Sequence, residues 1–324
     1  MPRAGCPWKA ARMSSWQVRD VPFKFQLSDW TMFQAAIPLQ QRSIGLAEAG
    51  NPDAIAIPGE NQLVPGSQGF ALRRQPVDEA LPRLARSGPF LRYVPLQYQH
   101  CYIDLNTSFD DYQKKFSSKT RSTINRKIRK FTEHCGDTLK WHSYRTPEEV
   151  PAFFALARAV SKLTYQEKLL DAGLPDTPAF MERARALAAS GHLRAYVLFN
   201  GEQPVSYLYC PVEDGVAIYA YLGYDPASMH LSVGTVLQWL VLEQMFNEGG
   251  LRYFDFTEGQ SDHKRLFATH QRQCAHMYLV RATLRNRALL RSHALMDRFS
   301  GWAGAMLDRY GVKAKVRRLI RGHG

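Results

Sequence analysis

The sequence has no long hydrophobic run and no N-terminal secretion pattern. Its apolar stretches fall well short of the roughly 18 residues that a membrane-spanning helix requires. Residues 1–16 contain basic side chains, but they lack a continuous apolar segment followed by small residues at a cleavage site. These absences exclude a membrane-spanning class and favour a globular protein in the cytoplasm.

Paired cysteines and nucleophile signatures are also missing. The chain has five widely spaced cysteines, namely Cys6, Cys101, Cys135, Cys210 and Cys274. Because none lies in a CxxC pair or has a histidine at ligand spacing, the pattern predicts neither disulfides nor a bound metal. Each thiol is expected to pack as a small buried side chain. The absence of a GxSxG motif and of a Cys-His signature argues against a covalent acyl-enzyme.

Acidic residues are absent from one segment and scarce in another. Residues 113–131 carry eight basic side chains and no acid, and residues 281–324 carry eleven basic side chains against Asp297 and Asp308. The net charges of these two segments, +8 and +9, together exceed the net charge of +13 of the whole chain. The rest of the chain is therefore slightly acidic. Such segments predict contact with something anionic, either nucleic acid, a phosphorylated cofactor or a membrane surface.

What the chain does contain is enough apolar sequence for a substantial core. Of its 324 residues, 45% are hydrophobic, 12% are aromatic and only 22% are charged. This composition excludes disorder throughout and allows one large domain or two modest ones.

The first half of the chain predicts short strands followed by helices. Residues 1–100 are typical of short strands and loops, with an exposed loop at Asp53–Gly69. Cys101–Leu105 predicts a strand, Asn106 or Thr107 is expected to cap the next helix, and a basic helix STINRKIRKF follows. A further helix within PEEVPAFFALARAVSKL carries an apolar stripe formed by Val150, Phe153, Phe154, Ala157 and Val160. Pro178–Ala189 predicts one more helix.

From residue 193 onward, the hydrophobic period changes from that of helices to that of strands. The order predicted there is β-β-β-α-β-α-β, beginning with a meander of three antiparallel strands. The predicted elements are Leu193–Phe199, Val205–Cys210, Val216–Tyr224, Val233–Asn247, Leu251–Phe256, Ser261–Ala268 and Met277–Ala282.

The junction HLSVGT between the third strand and the long helix is suited to an anion. Ser232 is a candidate N-cap, and Gly234 lets a ligand approach the backbone closely. The N–H groups of Val233, Gly234 and Thr235 would then point at a phosphate from the positive end of the helix. From this string alone an ordinary capped helix is favoured over an anion site, because a single glycine near a helix start is weak evidence.

Four sequence blocks resemble the GNAT superfamily, specifically its BioF2-like or CelD-like branch, which is related to the FemAB transferases. The blocks are SSKTRSTINRKIRK, KLTYQEKLLDAGL, GYDPASMHLSVGT and YFDFTEGQSDHKRLF, within roughly residues 100–282. The chain departs from the family pattern at Val233, where a proline is common, and at His263, where a tyrosine is common.

This resemblance implies a mixed α+β fold, in which a mixed sheet flanked by helices has two central strands that splay apart. The pantetheine arm of acyl-CoA would lie between those strands, with Tyr221 and the start of the long helix as donor-binding residues. Residues 1–189 would form a degenerate GNAT-like lobe with a helical connector, residues 190–282 the catalytic lobe and residues 283–324 a basic tail. Lys162, Tyr165, Gln166 and Tyr224 would face the acceptor.

Such enzymes transfer an acyl group directly from a thioester to an amine, which requires a proton acceptor. His263 titrates near neutral pH and is the chemically suited base, although it and Asp262 also fit the surface of a short helix. Asp255 lies on a predicted central strand, where a carboxylate needs a partner, and Lys264 is a candidate for that partner. Glu258 completes the cluster of candidate catalytic residues.

The resemblance thus implies an acyl-CoA-dependent N-acyltransferase acting on an amino sugar, an amino acid or an envelope precursor. A FemAB-like transferase that uses aminoacyl-tRNA is the alternative, because the basic helix would contact phosphates. A non-catalytic protein that keeps the fold and binds a membrane or RNA is a third.

The C-terminal segment predicts an amphipathic helix. Its apolar stripe comprises Leu295, Phe299, Trp302, Met306 and Tyr310. Its arginine flank comprises Arg287, Arg291, Arg298 and Arg309, with both aspartates on the opposite side. This pattern suits a helix in an anionic membrane interface at the inner face of the membrane, and it suits equally a helix docked on the protein itself.

Overall fold

The computed structural model describes residues 16–27, 30–164, 173–259 and 261–309, which form two compact units. Among these residues, the central unit comprises residues 99–272, and the terminal unit comprises residues 16–98 and 273–309. The predicted boundaries 1–189, 190–282 and 283–324 differ from this division. The reason is that residues 99–189 supply strands and helices to both of the hydrophobic cores that residues 193–272 help to form.

The terminal unit is built on long strands rather than on the short strands predicted for residues 1–100. Strand β1 pairs antiparallel with β2, β2 pairs parallel with β3, and β3 pairs antiparallel with β12. Alternation along β1 buries Val21, Phe23 and Phe25 on one face. The elements are β1 (Gln17–Leu27), β2 (Trp30–Ser43), α1 (Pro52–Ile55), a 3-10 turn (Glu60–Gln62), β3 (Gly69–Pro76), β4 (Leu84–Ser87), the first part of β5 (Phe90–Asp104), most of β12 (His270–Arg281) and α8 (Leu284–Arg309).

The central unit has a mixed sheet in the order β5-β11-β9-β8-β7-β6, flanked by helices. Strands β11 and β9 are parallel, and every other neighbouring pair in this unit is antiparallel. The mixed α/β fold class predicted from the sequence is confirmed. Its elements are α2 (Phe109–Lys114), α3 (Ser118–His134), β6 (Trp141–Tyr144), α4 (Val150–Ser161), α5 (Pro178–Ala189), β7 (Leu193–Asn200), β8 (Gln203–Glu213), β9 (Val216–Ile218), β10 (Tyr221–Tyr224), a 3-10 helix (Pro226–Leu231), α6 (Val233–Glu248), β11 (Tyr253–Asp255) and α7 (Asp262–Phe267).

Several local predictions are confirmed by the structure, and one predicted helix cap is wrong. The stripe predicted on α4 is buried in the hydrophobic core. Helix α6 ends where predicted, with Gly249 at a φ of 72° as its C-cap. The cap of α2 is Ser108, rather than Asn106 or Thr107, because the Ser108 hydroxyl accepts the Asp111 N–H at 3.0 Å.

The third strand of the predicted meander is interrupted. Its first part, β9, pairs with both β8 and β11, whereas β10 pairs with β8. Gly223 in β10 is needed for close approach, since a Cβ there would lie 2.3 Å from the ring of Tyr207. The interruption at Tyr219 and Ala220 comes directly after the last residue of β9 that pairs with β11.

Three of the cysteines, Cys101, Cys210 and Cys274, are buried as expected, and Cys135 is half-buried. Burial raises the pKa of the Cys101 and Cys135 thiols, so both are held in the protonated, weakly nucleophilic form.

Across the described ranges, no helix combines the length and the hydrophobicity that crossing a bilayer requires.

Candidate functional site

The candidate site lies in the central unit, where two parallel strands separate. The ladder between β9 and β11 ends at Ile218 and Asp255, and a last hydrogen bond joins the Tyr219 N–H to the Asp255 carbonyl at 2.9 Å. Beyond this point, a cavity of about 360 Å³ opens. It is lined by Tyr219, Leu222, Tyr224, Met229, Ser232, Val233, Gly234, Thr235 and His263.

The first turn of α6 forms one wall of this cavity. Ser232 precedes the helix in the left-handed conformation, with φ 57° and ψ 33°, and its hydroxyl makes no capping bond. Its carbonyl accepts the N–H groups of Thr235 at 2.9 Å and Val236 at 3.1 Å. Ser232 is thus the N-cap residue of α6, as predicted, but it caps without a side-chain hydrogen bond, and the Thr235 N–H is engaged within the helix.

The N–H groups that remain for a ligand are those of Val233 and Gly234, which precede the first intrahelical bond. A Cβ at Gly234 would meet only the Tyr224 ring, at 3.5 Å, so the backbone there borders open space. The turn therefore presents two donors and the positive end of a sixteen-residue helix to the cavity.

His263 faces the cavity from α7, which is capped by the hydroxyl of Ser261. Its Nε2 lies 2.6 Å from Oε1 of Gln238, a fully buried residue one turn along α6 from Gly234. Because an amide oxygen only accepts, Nε2 carries the proton and Nδ1 carries the lone pair. Burial, together with Lys127 and Lys264, lowers the pKa of the imidazole, so it is neutral at pH 7.

Asp255 is buried at the end of β11, and its partner is one that the sequence did not indicate. Its Oδ1 lies 2.6 Å from His100 Nε2, and it accepts the Thr257 N–H at 2.6 Å. Both members of the pair are almost wholly inaccessible to solvent. His100 was missed because its proximity to Asp255 depends on the pairing of β5 with β11, which sequence periodicity does not specify.

Lys264 joins this cluster through a backbone hydrogen bond, and the charge of Asp255, its predicted partner, also acts on it. Its ammonium donates to the Glu258 carbonyl at 2.6 Å. Burial lowers the pKa of Lys264, while the charges of Asp255 and Glu258 oppose that effect. Asp262, by contrast, is exposed on α7 and forms an ion pair with Arg265, which fits the surface role considered for it.

The remaining predicted residues are dispersed. Tyr224 lines the cavity, whereas Tyr221 packs in the aromatic core against Phe180 and Tyr209. Lys162 is exposed at the end of α4, and Tyr165 and Gln166 lie outside the described residues. The structure thus brings together the α6 turn, Tyr224 and His263, and it does not bring Tyr221 to them.

The basic helix α3 runs beside the cavity. Ile124 and Phe131 are buried, which turns the basic residues outward. Lys127 is close enough to lower the pKa of His263, and Lys130 Nζ donates to the His230 carbonyl at 3.3 Å. Positive charge therefore flanks the same cavity that the first turn of α6 lines.

Within the described part of the chain, no cluster of three or more His, Cys, Asp or Glu side chains could hold a metal ion.

Residues 118–265 match the family model described as "Acetyltransferase (GNAT) domain". The matched segment contains α3, the separating strands, α6 and the candidate base His263. The match spans a little less than half of the chain, and it supports a GNAT-like acyltransferase domain within these residues.

Solved structures that the chain resembles share its sequence only weakly. FemX is 10% identical, with a TM-score of 0.47 over 83% of this chain and 89% of that chain. The C-terminal domain (DUF2156) of a putative lysylphosphatidylglycerol synthetase from Agrobacterium fabrum is 10% identical, with a TM-score of 0.42 over 63% of this chain and 66% of that chain. L-PGS from Bacillus licheniformis is 14% identical, with a TM-score of 0.41 over 61% and 65%.

This chain thus spans just under two thirds of the length of the latter two structures. Among curated protein sequences, none matches it significantly.

Proposed function

We propose that the protein is an acyl-CoA-dependent N-acyltransferase of the BioF2-like or CelD-like kind. The observation that carries this proposal is the cavity lined by β10, the first turn of α6 and His263, because it combines a helix N-terminus, an apolar wall and a neutral imidazole. These three features correspond to the three parts of the reaction, namely the diphosphate, the pantetheine arm with its thioester, and the proton to be removed.

In this proposal, backbone N–H groups and positively charged side chains bind the donor. Its diphosphate accepts the N–H groups of Val233 and Gly234 at the start of α6. Lys127 and Lys130 add positive charge on the α3 side of the cavity. The uncharged pantetheine arm extends past Tyr219 and Leu222, beyond the point where the ladder between β9 and β11 ends.

In the chemical step, the acceptor amine attacks the thioester carbonyl carbon. The new C–N bond forms, the C–S bond breaks, and the amine proton passes to Nδ1 of His263. The departing thiolate takes up that proton, so the products are the amide and free CoA. Direct transfer of this kind needs no nucleophilic side chain, in agreement with the raised pKa of the Cys101 and Cys135 thiols.

Titration calorimetry with CoA, acetyl-CoA and a long-chain acyl-CoA tests the donor site. In Gly234→Glu, a carboxylate would occupy the place of the diphosphate, while the backbone has room for the new Cβ. Ala179→Glu is the matched control, because Ala179 is exposed at the second position of α5. We expect saturable binding that Gly234→Glu abolishes and that Ala179→Glu retains, and absence of binding to all three ligands would overturn the proposal.

The acceptor in this proposal is an amine on a small molecule or on an envelope or polysaccharide precursor. Tyr224 is the predicted acceptor-side residue that reaches the cavity, where it is 37% exposed. The acyl chain length preferred in the calorimetric series would define which amines to test. A Tyr224→Phe variant that changes the KM for the acceptor, but not the Kd for the donor, would support this assignment.

A second candidate donor is an aminoacyl-tRNA, and the exposed basic face of α3 is the observation that favours it. Such a donor would bind with a steep dependence on salt concentration, because several phosphates would release counterions. A non-catalytic binding protein remains the third reading. It predicts that His263→Gln, Asp255→Ala and Lys264→Ala affect stability alone, whereas the acyltransferase predicts loss of turnover in His263→Gln with unchanged donor binding.

A further inference from the structure

Helix α8 of the terminal unit is docked on its own sheet by one face only. Leu290 and Asn286 are buried on that face. His293 packs edge-on against Phe23 and Phe25 of β1, and its Nδ1 lies 2.7 Å from the Tyr93 hydroxyl. The sheet therefore fixes the rotation of the helix, and the opposite face is presented to solvent.

That opposite face carries large apolar side chains. Leu284, Leu295, Phe299 and Trp302 are 84%, 66%, 53% and 60% exposed. Their spacing of eleven, four and three residues keeps all four within a narrow stripe of an α-helix. Hydrophobic side chains of this size, aligned along three turns or more of an exposed helix, are an unpartnered surface.

The charges around the stripe have one sign. Arg291 and Arg298 flank it on one side, and Arg285 lies on the other, all of them exposed. The acidic residue of this helix whose side chain is described, Asp297, lies on the docked side and forms an ion pair with Arg83. The outer face of residues 284–302 is therefore apolar along its centre and cationic along its edges.

We propose that this outer face of α8 lies in the interface of an anionic lipid bilayer, with the helix parallel to the membrane surface. Tryptophan, phenylalanine and leucine side chains enter the boundary of the acyl chains, and the arginines contact lipid phosphates. A nucleic acid would leave four apolar side chains in water, and a second copy of the helix would bring arginines toward arginines. The lipid surface satisfies both the apolar centre and the cationic edges.

Vesicle sedimentation of the full chain tests the proposal independently of any catalytic function. Vesicles of phosphatidylcholine alone are compared with vesicles of phosphatidylcholine mixed with phosphatidylglycerol. We expect binding to the mixed vesicles and a loss of about tenfold or more in Phe299→Ser/Trp302→Ser. In Arg291→Gln/Arg298→Gln, affinity for mixed vesicles should fall by roughly fivefold per arginine, with little change on phosphatidylcholine.

The matched control is Ile57→Ser/Val64→Ser, which removes two exposed apolar side chains elsewhere in the same unit. It should bind vesicles as the natural chain does, and circular dichroism melting should show all three double variants folded. Unchanged vesicle binding in both α8 variants would overturn the proposal. So would variants that lose affinity for RNA while keeping vesicle binding, or that change only the oligomeric state in light scattering.

Discussion

The Nε2 of His263 and the Oε1 of Gln238 are 2.6 Å apart, which makes a buried amide of α6 the group that orients the imidazole of α7. Because the amide oxygen accepts the Nε2 proton, the lone pair is on Nδ1. Gln238 is thus a positioning residue for the base, and it stands one helical turn beyond the two N–H groups proposed to hold the diphosphate.

The first prediction concerns the pH dependence of turnover. The pKa of His263 is lowered, so the base is already deprotonated at pH values below the ordinary histidine range, and the rate should reach its plateau there. In Gln238→Glu, a carboxylate beside Nε2–H favours the imidazolium and raises that pKa. The acid limb of kcat/KM should therefore move to higher pH, while donor affinity measured by calorimetry stays unchanged.

Two further variants separate orientation from folding. Gln238→Leu keeps a similar volume and removes the acceptor, so kcat should fall by roughly tenfold or more as both tautomers become populated. His263→Gln should lose about 10²–10⁴-fold in kcat, the usual contribution of a general base. An acid limb that stays in place in Gln238→Glu would show that His263 is not the group that titrates.

The second prediction concerns the buried pair of His100 and Asp255. Removing one partner leaves a buried polar or charged group without its counterpart, so His100→Leu should lower the free energy of unfolding by about 3–5 kcal/mol. The double variant His100→Leu/Asp255→Leu should be less destabilised than the sum of the two single variants. Urea denaturation of the four proteins in this cycle measures the coupling, and additive effects would contradict the pairing.

Much of the central unit could be predicted from the sequence, because its elements follow hydrophobic period. The α4 stripe, the α6 helix and its Gly249 cap, and the start of the meander are all local features. The length of the strands in the terminal unit could not be predicted, because β1 and β2 contain Pro22 and Pro38 and are partly exposed. Their length depends on pairing with each other, which local sequence does not show.

The candidate site was predictable only in part, for the same reason. Val233, Gly234 and His263 lie near recognisable turns and helix starts, and the structure brings them to one cavity. His100 follows two glutamines in β5, and Gln238 lies within the mostly apolar helix α6, so neither residue carries a functional signal of its own in the sequence. Their partners are set by tertiary packing, across 155 and 25 residues of sequence.

The third prediction distinguishes two lysines on α3. Lys127 lowers the pKa of His263, whereas Lys130 donates to the His230 carbonyl. Lys127→Gln removes one repulsive charge and should therefore raise that pKa, which moves the acid limb of kcat/KM to higher pH. Lys130→Gln is the control and should leave the limb in place. Both variants should weaken binding of CoA more strongly at low ionic strength than at high ionic strength.

The fourth prediction compares two glycines that border the cavity in different ways. At Gly223, a Cβ would lie 2.3 Å from the Tyr207 ring, and that ring is buried in the core. Gly223→Ala must therefore displace β10 from β8, and we expect it to lower the free energy of unfolding by about 1–3 kcal/mol, as overpacking does. At Gly234, the nearest atom would be 3.5 Å away, which is an ordinary contact.

Gly234→Ala should accordingly unfold at the same urea concentration as the natural protein or slightly above it, because alanine also favours the helix over glycine. Its methyl group nevertheless enters the space beside the Val233 and Gly234 N–H groups, where the diphosphate is proposed to bind. The expected pattern is thus a stable Gly234→Ala with a raised Kd for CoA and a destabilised Gly223→Ala. Equal stability of the two variants would mean that β10 can shift away from Tyr207 without cost, whereas unchanged CoA affinity in Gly234→Ala would move the diphosphate away from the α6 turn.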